Sequence, residues 1–137
     1  MPIRALFSHL NSSTAIAALV GTRIWPVKRR QKSTLPAITL NVVSDQSISA
    51  STGATGYDQA RIQVDCWSTS FSGAHGLDIA VKHRLRSFTS STTTPKIDSC
   101  QDAGGSYLGE PVEPGEDAMI HRFTRDFTIW YASTGTT

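Results

Sequence analysis

One stretch looks more like a reactive site than any other, "RIQVDCWSTSFSGAHGL", from Arg61 to Leu77. Asp65, Cys66, Trp67 and His75 fall close together there. A thiolate beside an imidazole would be a nucleophile, and cysteine, histidine and carboxylate together could hold a metal. The pattern argues against both. Ile62, Val64 and Cys66 alternate with Arg61, Gln63 and Asp65, as in a strand with one buried face. A thiol on the apolar side of such a strand is desolvated and inert, and Asp65 points the opposite way. His9, His75, His83 and His121 make no H-x-x-x-H or H-E-x-x-H, and Cys66 and Cys100 make no C-x-x-C. His75 and His83 stand about two helical turns apart, too far to share an ion. No catalytic, metal or cofactor-binding residue is therefore assigned, and no enzyme is expected.

Phosphate chemistry is equally poorly supplied. "GTR" and "GATG" lack the strand–turn–helix setting of phosphate-binding loops. The basic run "KRRQK", with Lys28, Arg29, Arg30 and Lys32, has no interleaved aromatics for stacking on bases. Its counterpart is the acidic run "EPVEPGED", with Glu110, Glu113, Glu116 and Asp117. Two readings fit these runs: solvated loops, or surfaces that complement each other across a subunit contact. Trp67 and Trp130 each continue the polar face of a strand. They either pack beneath a helix or meet a neighbouring subunit, where aromatics concentrate.

The elements that must position these residues come from periodicity. Ile3, Leu6, Phe7 and Leu10, then Ile16, Leu19 and Val20, have helical spacing. Asn11 to Ser13 interrupt them with a candidate N-cap, and Gly21 is a stop. Pro26 ends regularity after "RIW", and "AITLNVV", residues 37–43, is a strand. Residues 44–59 are small, polar and turn-prone, which predicts a long flexible loop. A strand over 61–66 leads to a helix whose stripe is Ala74, Leu77, Ala80, Val81, Leu85 and Phe88. A weaker strand at 96–101, a turn at Gly104–Gly105 and a strong strand at 121–131 follow. Residues 132–137 are expected to fray. The order predicts an α+β fold: one domain over 1–137, with a mostly antiparallel or mixed sheet and helices packed on one face.

The chain has 137 residues, 39% hydrophobic and 18% charged, with formal net charge +2. These values fit one soluble domain with an ordinary core, and a charge of +2 is too small to argue by itself for nucleic acid or a membrane surface. No apolar run approaches the ~20 residues of a membrane span, and the start lacks the layout of a signal peptide. A cytoplasm-like compartment and two reduced, buried thiols are expected.

The ordered pieces "ALVGTRIWP", "LPAITLNVV", "ARIQVDCWSTSFSGAHGLDIAVKHRL" and "HRFTRDFTIWY" resemble the tail-completion, or tail-terminator, proteins of long-tailed phages and prophages, over most of residues 15–131. The resemblance implies a structural virion protein without catalysis or cofactor, assembled in the host cytoplasm. It implies a ring, usually hexameric, at the head-proximal end of the tail tube. The implied partners are like copies, the tail-tube protein and the head connector or stopper. DNA would pass through the lumen without sequence-specific contact. Another neck component, such as a head-completion or stopper protein, is the nearest alternative, and a small nucleic-acid-binding module the more distant one. Within a ring, Lys28, Arg29, Arg30 and Lys32 are expected to meet Glu110, Glu113, Glu116 and Asp117 of a neighbour.

Overall fold

A computed structural model describes residues 3–21, 23–26, 36–50, 53–91, 96–111 and 119–132. The N-terminal periodicity folds as two short helices, α1 (Ile3–Asn11) and α2 (Thr14–Val20). Ser13 separates them. Its hydroxyl accepts from the Ile16 amide at 3.3 Å, which satisfies one of the amides a helix start leaves unpaired. Gly21 closes α2 with φ of 60°, a conformation cheap only for glycine. Leu6, Leu10, Ile16 and Val20 are fully buried.

The chain then makes β1 (Ile24–Pro26), β2 (Ala37–Ala50), β3 (Gly53–Ser68), α3 (Phe71–Leu85), β4 (Ile97–Pro111) and β5 (Met119–Ala132). The strands form one five-stranded sheet in the order β1-β2-β3-β5-β4. Only the β1–β2 pair is parallel, so the sheet is mixed and mainly antiparallel. All three helices lie on one face, where Ile38, Leu40, Ile62, Val64, Cys66, Phe127 and Ile129 meet Leu6, Leu10, Leu77, Val81 and Leu85 in a single core. The α+β expectation is met, in a single compact domain.

The turn from β3 into α3 is tight. Ser70 caps the helix by accepting from the Gly73 amide at 3.0 Å. A Cβ on Gly73 would stand 2.5 Å from the Ser68 hydroxyl and 2.8 Å from that of Ser70, so any larger residue would displace both hydroxyls, the capping one included. Lys82, His83 and Arg84 occupy the last turn, where positive charge suits the helix dipole.

Three expectations are corrected. The loop expected at 44–59 is instead the upper part of a long hairpin, paired from Ser44↔Arg61 to Ala50↔Gly53, with one register shift just before it at Val42/Ser44 and one within it at Ser47/Ser49. The weak strand expected at 96–101 runs on to Pro111, and Gly104–Gly105 is a bulge inside it, not a turn between strands. No strand is expected at "RIWP", yet Ile24, Trp25 and Pro26 pair in parallel with Ile38, Thr39 and Leu40, with Pro26 the last residue of β1. Strand periodicity shows in sequence only where one face is packed. Among the described residues no strand flanks the β2–β3 hairpin beyond Tyr57↔Ala132, so no described neighbour imposes apolar alternation there. The tail expected at 132–137 begins with Ala132, the last residue of β5, and the rest of it lies outside the described residues.

Candidate functional site

The stretch that first suggested chemistry is taken apart by the fold. Cys66 is fully buried on the helix-facing side of β3, and burial, reinforced by Asp78 and Asp65, pushes its thiol well up. Cys100 is likewise pushed up, to about 12, by burial and then by Asp102. Asp65 faces the other way and accepts from Gln63 Nε2 at 2.9 and 3.2 Å. His75 stands on the exposed side of α3 and packs on Phe71 and Phe123. Among the described residues no group of three His, Cys, Asp or Glu side chains is placed to hold a metal.

The sheet face away from the helices is organised differently. Residues 61, 63, 65 and 67 of β3 and 122, 124, 126, 128 and 130 of β5 alternate with the core positions and look outward. Charges there are matched within the face. Arg61 pairs with Asp126 at 2.7 Å and Arg122 approaches Asp65 at 3.7 Å. Trp67 does not lie beneath a helix. Its indole N–H donates to Thr39 Oγ1 at 3.0 Å, and the Arg122 guanidinium lies 5.0 Å over its ring, within cation–π range. Trp130 sits half-buried on the same face, level with Gln59 and Ser99. The two tryptophans thus mark opposite ends of one polar, internally neutralised wall.

Between sheet and helices lies a charged cluster that the sequence reading did not single out. Arg125 points inward among Phe123, Phe127 and Ile129. Its Nε and Nη2 donate to the two oxygens of Asp78 at 3.0 and 2.9 Å, and its Nη1 to both oxygens of Asp102 at 2.9 and 2.8 Å. Burial works against the Asp102 carboxylate, but the Gly104 amide and Arg125 more than offset it and hold its pKa below the usual range. Hydrogen bonding to Asp78 raises that of Arg125. The bulge in β4 makes the room: Gly104 has φ of 103°, and a Cβ on Gly105 would stand 2.8 Å from the Thr124 carbonyl and 3.2 Å from Arg125 Cζ. A charged residue in phase with Phe123 and Phe127 was the available signal, since an inward charge requires partners.

Of the other expected interface residues, Lys28, Arg29, Arg30, Lys32, Glu113, Glu116 and Asp117 lie outside the described residues. Glu110 is placed by its backbone, opposite Ile120. The described residues that flank them lie towards opposite edges of the sheet: Pro26, before the basic run, is level with Leu40, Val64 and Arg125, and Pro111 and Met119, on either side of the acidic run, pair at the end of β4 and β5.

Residues 4–131 match the family model described as Tail completion protein gp17, and the chain belongs to that family of phage tail structural proteins. Its fold is also that of a chain in a solved structure, "Virion of native gene transfer agent (GTA) particle", with a TM-score of 0.74 at 16% sequence identity, over 93% of this chain and 92% of that one. No curated protein matches the chain. No helix among the described residues is long and apolar enough to cross a membrane.

Proposed function

We infer that this chain is the subunit of a closed ring, hexameric by the family resemblance, at the head-proximal end of the tail tube. The ring ends tube polymerisation, joins the tail to the head connector or stopper, and lets DNA pass through its lumen without sequence-specific contact. The observation that carries this reading is the outer sheet face, a wall whose arginines and aspartates are already paired with each other. Such a face presents shape without demanding a charged ligand. The gene transfer agent particle supports a place in a virion for the same fold.

Closure of a ring needs a heterologous contact that repeats from copy to copy. Lys28, Arg29, Arg30 and Lys32 supply one half of it, and Glu110, Glu113, Glu116 and Asp117 of the next copy the other. Trp67 and Trp130 lie on the face nearest to like copies or to the tube. Polymerising the tail-tube protein with and without this chain tests termination. Tubes of bounded length in its presence and overlong tubes in its absence are expected; equal length distributions would contradict the reading.

A further inference from the structure

Both edges of the sheet are open over part of their length. β1 covers β2 only at Ile38–Leu40. Among the described residues no strand pairs with Asn41–Ala50 on the side away from β3. At the other edge, Ser87 donates to the Cys100 carbonyl, and Ser90 exchanges hydrogen bonds with Ile97. Those contacts shield the start of β4, while among the described residues no strand pairs with Gln101–Pro111 on the side away from β5. An open edge is a row of unpaired donors and acceptors that fits another strand edge.

The open stretches lie at opposite ends of the sheet. Through the register, Asn41 is level with Gln63 and Asp126, and the β2 stretch runs on past Ala132. The β4 stretch starts level with Thr128 and runs the other way, to Met119. We propose that β2 of one copy adds in antiparallel fashion to the open edge of β4 in the next, with neighbouring copies displaced along the strands. The occupant of each edge is a second copy of this chain, and the proposal rests on the ring reading above.

Three relationships support this arrangement. β2 and β4 run in opposite directions, so copies related by a simple rotation pair antiparallel. A slide of about seven residues, or ~24 Å at ~3.4 Å per residue, overlays the two open stretches. The repeat along such a sheet is four strands, β2, β3, β5 and β4, or ~19 Å at ~4.8 Å each, so the strands would tilt by ~50°, a little beyond the roughly 35–45° that closed sheets adopt. The same slide moves the neighbouring copy's Pro26, level with Leu40, Val64 and Arg125, to the level of Met119. It carries β1 past the end of β4, clear of the described residues. It also brings Pro26, which precedes the basic run in sequence, level with Pro111 and Met119, which flank the acidic run.

Disulfide trapping tests it. Ser106 of β4 and Gln46 and Ser47 of β2 are exposed. Within one chain β2 and β4 are separated by β3 and β5, ~14 Å of sheet, beyond the reach of a disulfide. Ser106→Cys is combined in turn with Ser44→Cys, Gln46→Cys and Ser47→Cys, on rings assembled with tail tubes and then oxidised. At least one double variant is expected to give a ladder of covalent oligomers up to the ring, and each single variant none. Rings that assemble yet give no ladder in any combination would overturn the edge pairing and leave the ring reading intact. A Ser106→Cys variant that dimerises with itself would replace it by a two-fold contact. Absence of rings in the unsubstituted protein would remove the ring reading and this proposal together.

Discussion

Arg125 and Asp78 meet through two parallel hydrogen bonds, 3.0 and 2.9 Å long, between the middle of β5 and the buried side of α3. Their side chains are only 16% and 4% exposed. The pair links sheet to helix, and Asp102 completes it from β4. Removing one partner leaves the others buried and unpaired. Arg125→Ala should therefore lower unfolding stability by about 3–5 kcal/mol, the range for breaking a buried ion pair from one side. Urea unfolding of the two proteins checks this. A loss below ~1 kcal/mol would show that water already screens the cluster.

His9 sits at the joint between α1 and the end of α3. Its Nε2 shares a hydrogen bond with the Arg84 carbonyl, the Arg84 Nε donates to the His9 carbonyl, and its ring stacks on Phe88 at 3.9 Å. Burial, aided by the Arg84 charge, lowers its pKa. A histidine with a depressed folded pKa binds its proton more readily when unfolded. Its contribution to stability is thus full above the ordinary imidazole value, falls as pH drops through that value, and stops changing below the folded one. Urea midpoints between pH 8 and pH 5 should show this loss, and His9→Gln should flatten it. An unchanged slope in the variant would assign the loss elsewhere.

Cys66 and Cys100 should resist thiol reagents. Both are buried and both thiols are held protonated. Modification must wait for the chain to open, so reaction at neutral pH should be on the order of 100-fold or more slower in native than in urea-unfolded protein, given an opening cost of ~3 kcal/mol or above. Ellman's reagent followed by absorbance measures it. Rapid reaction of either native thiol would contradict the placement of both in the core.

Charge reversal tests the contact between the two oppositely charged segments. Arg29→Glu with Arg30→Glu should reduce the ring fraction in native mass spectra at low salt, and raised salt should narrow the difference, because exposed charges are screened over about 10 Å at 0.1 M. Ring yield equal to that of the unaltered chain at low salt would reject the pairing.

The sequence was legible where a helix layer imposes a period. The two N-terminal helices, the Ile62–Cys66 alternation, the stripe of α3 and the last strand all follow from burial on a single side. Legibility failed where that constraint is absent. The outer β2–β3 hairpin is small and polar because no helix covers it, and it reads as loop. The glycines at 104 and 105 read as a turn, although they bend a strand around Arg125. Arg125 escaped notice because its partners come from α3 and β4, far away in sequence. Family resemblance was readable because the order of local pieces survives, whereas the assembly contact depends on edges that only the folded register defines.

The central claim is that this chain acts as a ring component through its shape. Negative-stain imaging of tail tubes incubated with the purified protein tests it most directly. A closed ring seated on one end of the tube, with an open lumen, is the predicted result. Tubes whose ends stay bare while the protein remains a single copy in solution would contradict it.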